Sequence, residues 1–159
     1  MQSPLAAEIV HAATAAGLTI TTAESCTGGL VSAALTDVAG SSAIFAFGFV
    51  TYANVAKTQL LGVNPQTLAA HGAVSEQVAA EMATGARLAA AADIAVSITG
   101  IAGPGGSEFK PEGRVCFGIA TKNGVQTETQ EFTALGRANV RAAARDHALH
   151  LLIGAVRQV

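Results

Sequence analysis

The amino-acid sequence predicts an α/β fold, a three-layer α/β/α sandwich around a mixed β-sheet. Segments with helix-capping signals alternate with short apolar segments over the first two thirds of the 159 residues. A hairpin signal follows in the last third, so parallel and antiparallel strands should share one sheet. With this length and 50% hydrophobic residues, we expect a single domain over residues 1–159.

The first predicted elements alternate between helix and strand. Ser3 and Pro4 have the positions of N-cap and first helical residue, and Gly17 ends this helix. Residues 18–23 are rich in β-branched side chains and are predicted to form a strand. A helix rich in alanine and leucine then runs to Thr36, and residues 44–52 form the next strand.

The middle of the chain is predicted to be mostly helical. Asn54 can cap a short helix that ends at Gly62, and residues 65–71 form another short helix. Ser75 caps a longer helix that runs to about residue 92. Residues 94–99 then form a buried strand that leads into a glycine-rich loop.

The last third is predicted to be a hairpin followed by a helix. Residues 114–122 and 125–132 flank Asn123-Gly124, the strongest short hairpin signal. Residues 136–156 carry alanine and leucine on one face and form the closing helix.

Composition excludes several classes of function. Charged residues make up 13% of the chain, the net charge is −2, and there is one tyrosine and no tryptophan, so neither a basic patch nor an aromatic platform is available for nucleic acid. No apolar run is long enough to cross a membrane, and the N-terminus lacks the basic region of a signal peptide. Two cysteines fit a reducing cytoplasm, and four histidines without ligand spacing predict no metal and no cofactor.

Polar segments that contain glycine are the candidate ligand-binding loops: residues 24–29, 40–42 and 99–106. In an open α/β sheet, ligands bind beyond the carboxyl ends of the strands. Ser25, Cys26 and Thr27 lie near a predicted helix N-terminus, where N–H groups attract anions, although they could simply cap that helix. Because a second such loop contains Gly100 and Gly103, we expect a small ligand that carries a phosphate.

Lys57 is the candidate base, since it follows an apolar strand and lies near Tyr52. A buried lysine with a lowered pKa can accept a proton from a hydroxyl, and Ser42, Ser25 and Thr99 are the candidates. A solvated lysine on a helix surface is the alternative interpretation.

Two more groups of residues could take part. Cys26 is an alternative nucleophile whose pKa a helix N-terminus would lower, but no histidine is placed to serve as its base. A stripe on the last helix consists of Arg137, Arg141 and Arg145. These arginines are either solvated, or Arg141 in the middle binds a phosphate with two hydrogen bonds.

Six segments form a specific set along nearly the whole chain: TTAESCTGG at 21–29, GSS at 40–42, VTYAN with the lysine at 50–57, LGV at 61–63, GAVS at 72–75 and TGIAGP at 99–104. This set resembles the CinA C-terminal family, which includes the nicotinamide mononucleotide deamidases. The resemblance implies a metal-free serine amidohydrolase with a Ser/Lys dyad that converts nicotinamide mononucleotide to nicotinate mononucleotide and ammonia. It also suggests a homodimer and the form without the additional N-terminal domain that many members carry.

The resemblance also implies roles for individual residues. It places the catalytic dyad on Ser42 and Lys57, with Ser25 as the alternative nucleophile. Tyr52 would orient Lys57 or hydrogen-bond the oxyanion, while Thr99 and Arg141 match other polar positions of the family's site.

Two other functions are weighed against this one. A non-catalytic, regulatory nucleotide-binding module would use the same loops but would not need a neutral lysine beside a serine. A DNA-processing factor is disfavoured by the net charge of −2.

Overall fold

The computed structural model describes residues 2–159 and has a five-stranded mixed sheet with helices on both faces. The predicted three-layer α/β/α sandwich is confirmed. The strands are β1 (Ile20–Glu24), β2 (Phe45–Val50), β3 (Ile94–Gly100), β4 (Arg114–Thr121) and β5 (Gly124–Glu131). The helices are α1 (Pro4–Ala16), α2 (Leu30–Thr36), α3 (Asn54–Leu61), α4 (Pro65–His71), α5 (Glu76–Ala90) and α6 (Arg137–Gln158).

The sheet has the strand order β2-β1-β3-β4-β5, in which β1 pairs in parallel with both β2 and β3. Strands β4 and β5 continue the sheet antiparallel, joined by the hairpin that Asn123-Gly124 predicts. Helices α1, α2 and α6 pack on one face, and α3, α4 and α5 pack on the other. The buried strands β1 and β3 therefore have apolar layers on both sides.

Local signals explain most of the helix boundaries. Ser3 accepts the N–H of Ala6, and Ser75 accepts the N–H of Val78, as N-caps do. Gly17 ends α1 in a left-handed conformation, which glycine adopts without a steric penalty. The expectation that Asn54 caps α3 is wrong, because Ala53 is the N-cap and Asn54 is the first helical residue.

The register of the parallel strands positions the functional loops. Glu24 at the end of β1 pairs with Val50 of β2 and with Ile98 of β3. Since the three strands run in the same direction, the loops that follow them leave the sheet at one edge. No helix among residues 2–159 is long and apolar enough to cross a membrane.

Candidate active site

A cleft of about 300 Å³ opens at this edge of the sheet. The loops after β1, β2 and β3 and the first turn of α6 supply its walls. Its polar and glycine residues include Ser25, Tyr52, Asn54, Lys57, Thr99, Gly100, Gly103, Glu108 and Arg137.

Lys57 lies beneath the cleft and contacts Ser25. Its Nζ lies 3.1 Å from Ser25 Oγ, and it donates to the carbonyl oxygens of Thr51 at 3.0 Å and Tyr52 at 3.2 Å. A neutral amine has two N–H groups and one lone pair. Because the two carbonyls can accept both N–H groups, the lone pair is left for the hydroxyl of Ser25.

Burial lowers the pKa of Lys57 below its ordinary value of 10.5. Only 1% of this residue is exposed, so its ammonium form loses hydration. Glu108 opposes the effect, because a carboxylate favours the charged form of the lysine. No carboxylate among the described residues pairs with Lys57, so the environment favours the neutral amine that a general base requires.

The structure does not bring Ser42 to Lys57 within one chain. Ser42 is exposed on the 3-10 turn Ser41–Ala43, which precedes β2, whereas Lys57 and its partners lie beyond the other end of that strand. Strand β2 has six residues, so at about 3.3 Å per residue its two ends lie about 20 Å apart. Within one chain, therefore, Lys57 contacts Ser25 and not Ser42.

The loop that carries Ser25 is held by the buried carboxylate of Glu24. Its Oε1 accepts the N–H groups of Gly29 at 3.2 Å and Val31 at 3.0 Å, and its Oε2 accepts the N–H of Ser32 at 3.0 Å and the hydroxyl of Ser32 at 2.8 Å. Glu24 thus takes the donors at the start of α2, which we expected to attract a phosphate. That end of the helix serves the fold rather than a ligand.

Arg141 also holds this loop. Its guanidinium donates to the carbonyl oxygens of Cys26 at 3.0 Å and Thr27 at 3.2 Å and packs against Gly28, where a Cβ would lie 3.3 Å from the arginine. Thr27 is fully buried, and its hydroxyl finds no partner within residues 2–159. The cleft is therefore lined neither by Arg141 nor by Thr27, both of which we expected to bind the substrate.

Arg137, one turn earlier on α6, lines the cleft instead. It donates to the carbonyl oxygen of Gly103 at 2.6 Å and to the hydroxyl of Tyr52 at 2.9 Å. The contact of Tyr52 with Lys57 is made by its backbone carbonyl, not by its phenol. Thr99 lines the cleft as expected, and its hydroxyl donates to the carbonyl oxygen of Ala73 at 2.8 Å.

Four polar cleft residues were not predicted as site residues: Asn54, Ser107, Glu108 and Arg137. Arg137 belongs to the stripe whose middle member was singled out, and Glu108 is the second residue after the glycine-rich loop. No local signal in the sequence distinguishes either residue from its solvated neighbours. Their places depend on where α6 and the β3–β4 connection lie against the sheet.

Cys26 is not poised as a nucleophile. Burial raises the pKa of its thiol to about 12, so the thiol is protonated near neutral pH. Cys26 is 4% exposed and does not line the cleft.

A second cavity, of about 440 Å³, lies between the β4–β5 hairpin and the end of α6. Its side chains include His150, Asn123 and Thr121, but the Thr121 hydroxyl accepts the N–H of Asn123 and no hydrogen bond joins it to His150 in the described chain. In the part of the chain that the structure describes, no three His, Cys, Asp or Glu side chains group as metal ligands would. The Ser25–Lys57 cleft is thus the better candidate for chemistry.

Comparisons with known proteins agree with this architecture. The family model described as CinA C-terminal domain matches residues 2–156. The chain is 55% identical over 149 residues to the nicotinamide-nucleotide amidohydrolase PncC of Escherichia coli K12, covering 93% of this chain and 90% of that protein. The crystal structure of competence/damage inducible protein CihA from Agrobacterium tumefaciens has a TM-score of 0.92 at 48% identity, covering 96% of this chain and 93% of that one. A CinA superfamily protein from Klebsiella pneumoniae 700603 has a TM-score of 0.93 at 39% identity, covering 98% of this chain and 97% of that one.

Proposed function

This chain belongs to the CinA C-terminal domain family, and from that premise we propose that it hydrolyses the carboxamide of nicotinamide mononucleotide to nicotinate mononucleotide and ammonia. The observation that carries the proposal is the buried Lys57, whose Nζ lies 3.1 Å from Ser25 Oγ at a cleft. The 55% identity to a nicotinamide-nucleotide amidohydrolase supplies the substrate.

The reaction begins with proton transfer from Ser25 to Lys57. The neutral amine of Lys57 accepts the hydroxyl proton, while the carbonyls of Thr51 and Tyr52 hold its two N–H groups. Ser25 Oγ then attacks the amide carbon and forms a tetrahedral oxyanion. Ser25, and not Ser42, is the nucleophile in this proposal.

Backbone N–H groups of the glycine-rich loop stabilise that oxyanion in this proposal. The N–H groups of Gly103 and Gly106, which line the cleft, donate to no oxygen of the described chain, whereas the N–H of Gly105 donates to Glu112. A lost oxyanion donor typically costs 10²–10³ in turnover. Arg141 and Glu24 fix the separate loop that presents Ser25.

Collapse of the intermediate releases ammonia. Protonated Lys57 donates its proton to the leaving nitrogen, and the C–N bond breaks to leave an acyl ester on Ser25. Lys57, neutral again, then accepts a proton from the water that attacks this ester. Hydrolysis releases nicotinate mononucleotide and restores the hydroxyl.

Arg137 binds the 5′-phosphate in this proposal. It is the arginine of the α6 stripe that lines the cleft, and its guanidinium donates to Gly103 and Tyr52, which also line the cleft. A guanidinium binds phosphate oxygens with charge-assisted hydrogen bonds. Binding the phosphate away from the amide aligns the carboxamide with Ser25.

We also propose that the protein is a homodimer formed through the edge strand β2. Phe47 is 54% exposed, Val50 is 50% exposed and Val55 on α3 is 61% exposed, while residues 38–56 carry no charged side chain. The opposite edge strand, β5, carries Glu128 and Glu131 and is protected as edge strands usually are. A second copy of the chain supplies a charge-free edge strand that matches this one. Phe47→Lys should therefore convert the dimer to a monomer in sedimentation analysis. A wild-type protein that sediments as a monomer would refute the proposal.

The compartment we propose is the cytoplasm, because both cysteines are buried free thiols.

The test is ammonia release from nicotinamide mononucleotide by the purified protein. Nicotinamide riboside and free nicotinamide serve as comparisons, and a chelator is present throughout. We expect turnover of the mononucleotide that exceeds turnover of either comparison and does not depend on metal. Binding of the mononucleotide without ammonia release would instead favour the non-catalytic module, for which a buried lysine beside a serine has no use.

A further inference from the structure

We propose that Glu108 recognises the positive charge of the pyridinium ring and makes the site selective for cationic over uncharged carboxamide nucleotides. This inference rests on the proposed function and adds a specificity-determining residue to it.

Glu108 lies on a tight turn at the rim of the cleft. Ser107 and Lys110 close the turn with two backbone hydrogen bonds of 3.0 and 2.8 Å. Glu108 and Phe109 between them have φ values of 53° and 63°, a left-handed conformation that non-glycine residues adopt at a cost. In this turn Glu108 lines the cleft, whereas Phe109 is fully exposed and does not.

The turn is anchored to the body of the protein. Lys110 donates to the carbonyl oxygens of His71 and Val74, each at 2.6 Å, which ties the turn to the end of α4. Gly72 lies against the carboxylate of Glu108, and a Cβ at this position would collide with that carboxylate. The absence of a side chain at Gly72 therefore leaves the space that Glu108 occupies.

The carboxylate of Glu108 has no partner of its own. Across residues 2–159 it forms neither an ion pair nor a hydrogen bond, and the neighbouring ammonium of Lys110 is directed at two carbonyls. Glu112, on the same connection, differs because its carboxylate accepts the N–H of Gly105. Glu108 is thus the carboxylate of this loop that remains free to bind a cation in the cleft.

The charges of the cleft match a zwitterion. Arg137 supplies a cation on one wall and Glu108 an anion on another, while Lys57 below is held toward its neutral form. Nicotinamide mononucleotide carries a cationic ring and an anionic phosphate. A cleft of about 300 Å³ is at the small end for ligand sites, so a mononucleotide with its phosphate at Arg137 and its carboxamide at Ser25 leaves little space between its ring and the wall that carries Glu108.

The same carboxylate acts on the base. Glu108 raises the pKa of Lys57 against the larger effect of burial. Glu108→Gln should therefore move the acidic limb of the pH profile of kcat/KM to lower pH. A residue that only held the loop in place would change the rate without moving that limb.

The experiment compares binding of a cationic and an uncharged ring. Nicotinamide mononucleotide and its reduced form, whose dihydropyridine ring is neutral, are titrated by calorimetry into Ser25→Ala and into Ser25→Ala with Glu108→Gln. We expect Glu108→Gln to weaken binding of the oxidised form about tenfold and to leave the reduced form within about twofold. Asp146→Asn, which removes an exposed carboxylate on α6, is the matched control and should change neither.

Two results would overturn the inference: equal weakening of both ligands, or no weakening of either. If Ser25→Ala binds too weakly to measure, the preference for the oxidised over the reduced mononucleotide is taken from the ratio of their kcat/KM values in proteins with Ser25 intact. The position of the acidic limb of the pH profile is measured in the same proteins. Failure of the proposed function is distinguishable, because it appears as absent ammonia release by the wild-type protein. If the wild type hydrolyses the mononucleotide and Glu108→Gln leaves both ratio and limb unchanged, only the role of Glu108 is refuted.

Discussion

Replacing Ser25 and Ser42 separately by alanine distinguishes the two candidate nucleophiles. Ser25 Oγ lies 3.1 Å from Lys57 Nζ. The hydroxyl of Thr99 is already donated to Ala73, so it does not substitute for Ser25. Loss of a nucleophile that works with its base costs orders of magnitude, so we expect Ser25→Ala to lower kcat by about 10³-fold or more.

Stability should change little in either variant. Ser25→Ala removes the hydrogen bond with Lys57 and a longer one, of 3.5 Å, that Ser25 donates to the carbonyl oxygen of Tyr52, at a cost of about 1–2 kcal/mol in the free energy of unfolding. Ser42 is exposed, and surface substitutions usually stay within about 0.5 kcal/mol. A domain with about 5–15 kcal/mol of stability stays folded after either loss, so a fall in activity reports chemistry.

The assay is ammonia release from nicotinamide mononucleotide, with urea unfolding of each variant measured in parallel. We expect Ser42→Ala to keep turnover within about twofold of the wild type, since its site is about 20 Å from the carboxyl edge of β2. Near-normal turnover of Ser25→Ala would rule out Ser25 as the nucleophile. A loss of about 10³-fold in kcat in Ser42→Ala alone would do the same and would assign the attack to Ser42.

Three further substitutions test other contacts. Lys57→Met should abolish turnover. Between the lowered pKa of folded Lys57 and 10.5, the unfolded wild-type chain holds a proton on Lys57 that the folded chain does not, so the stability of the wild type relative to Lys57→Met should rise with pH in this range. Urea midpoints of the two proteins that differ by the same amount at every pH would contradict this. Glu24→Gln should cost about 2–5 kcal/mol of unfolding free energy, because the oxygen that becomes an amide nitrogen no longer accepts its two donors, which are either the N–H groups of Gly29 and Val31 or the N–H and hydroxyl of Ser32. A urea midpoint like that of the wild type would show that these contacts contribute little. Arg137→Ala should raise KM for the mononucleotide about tenfold or more and leave KM for the riboside unchanged. Arg145→Ala is the control from the same stripe. An equal rise in KM for the riboside and the mononucleotide would show that Arg137 does not bind the phosphate.

Local signals in the sequence predict the succession of elements and the edge of the sheet at which we expect ligands to bind. N-caps at Ser3 and Ser75, the stop at Gly17 and the turn at Asn123-Gly124 act over a few residues, so they can be identified without the fold. Loops after parallel strands meet at one edge, which is why Lys57 and the glycine-bearing loops could be singled out together. Resemblance to a family adds the reaction but leaves open which serine attacks.

Only the tertiary structure decides which side chains meet. Ser25 and Lys57 are 32 positions apart, and their contact depends on β1 and β2 being neighbours with Glu24 opposite Val50. Arg137 and Arg141 are one turn apart on α6, and the packing of that helix decides which of them faces the cleft. Such contacts come from strand order, register and helix placement, which are set by burial across the whole chain rather than by neighbouring residues.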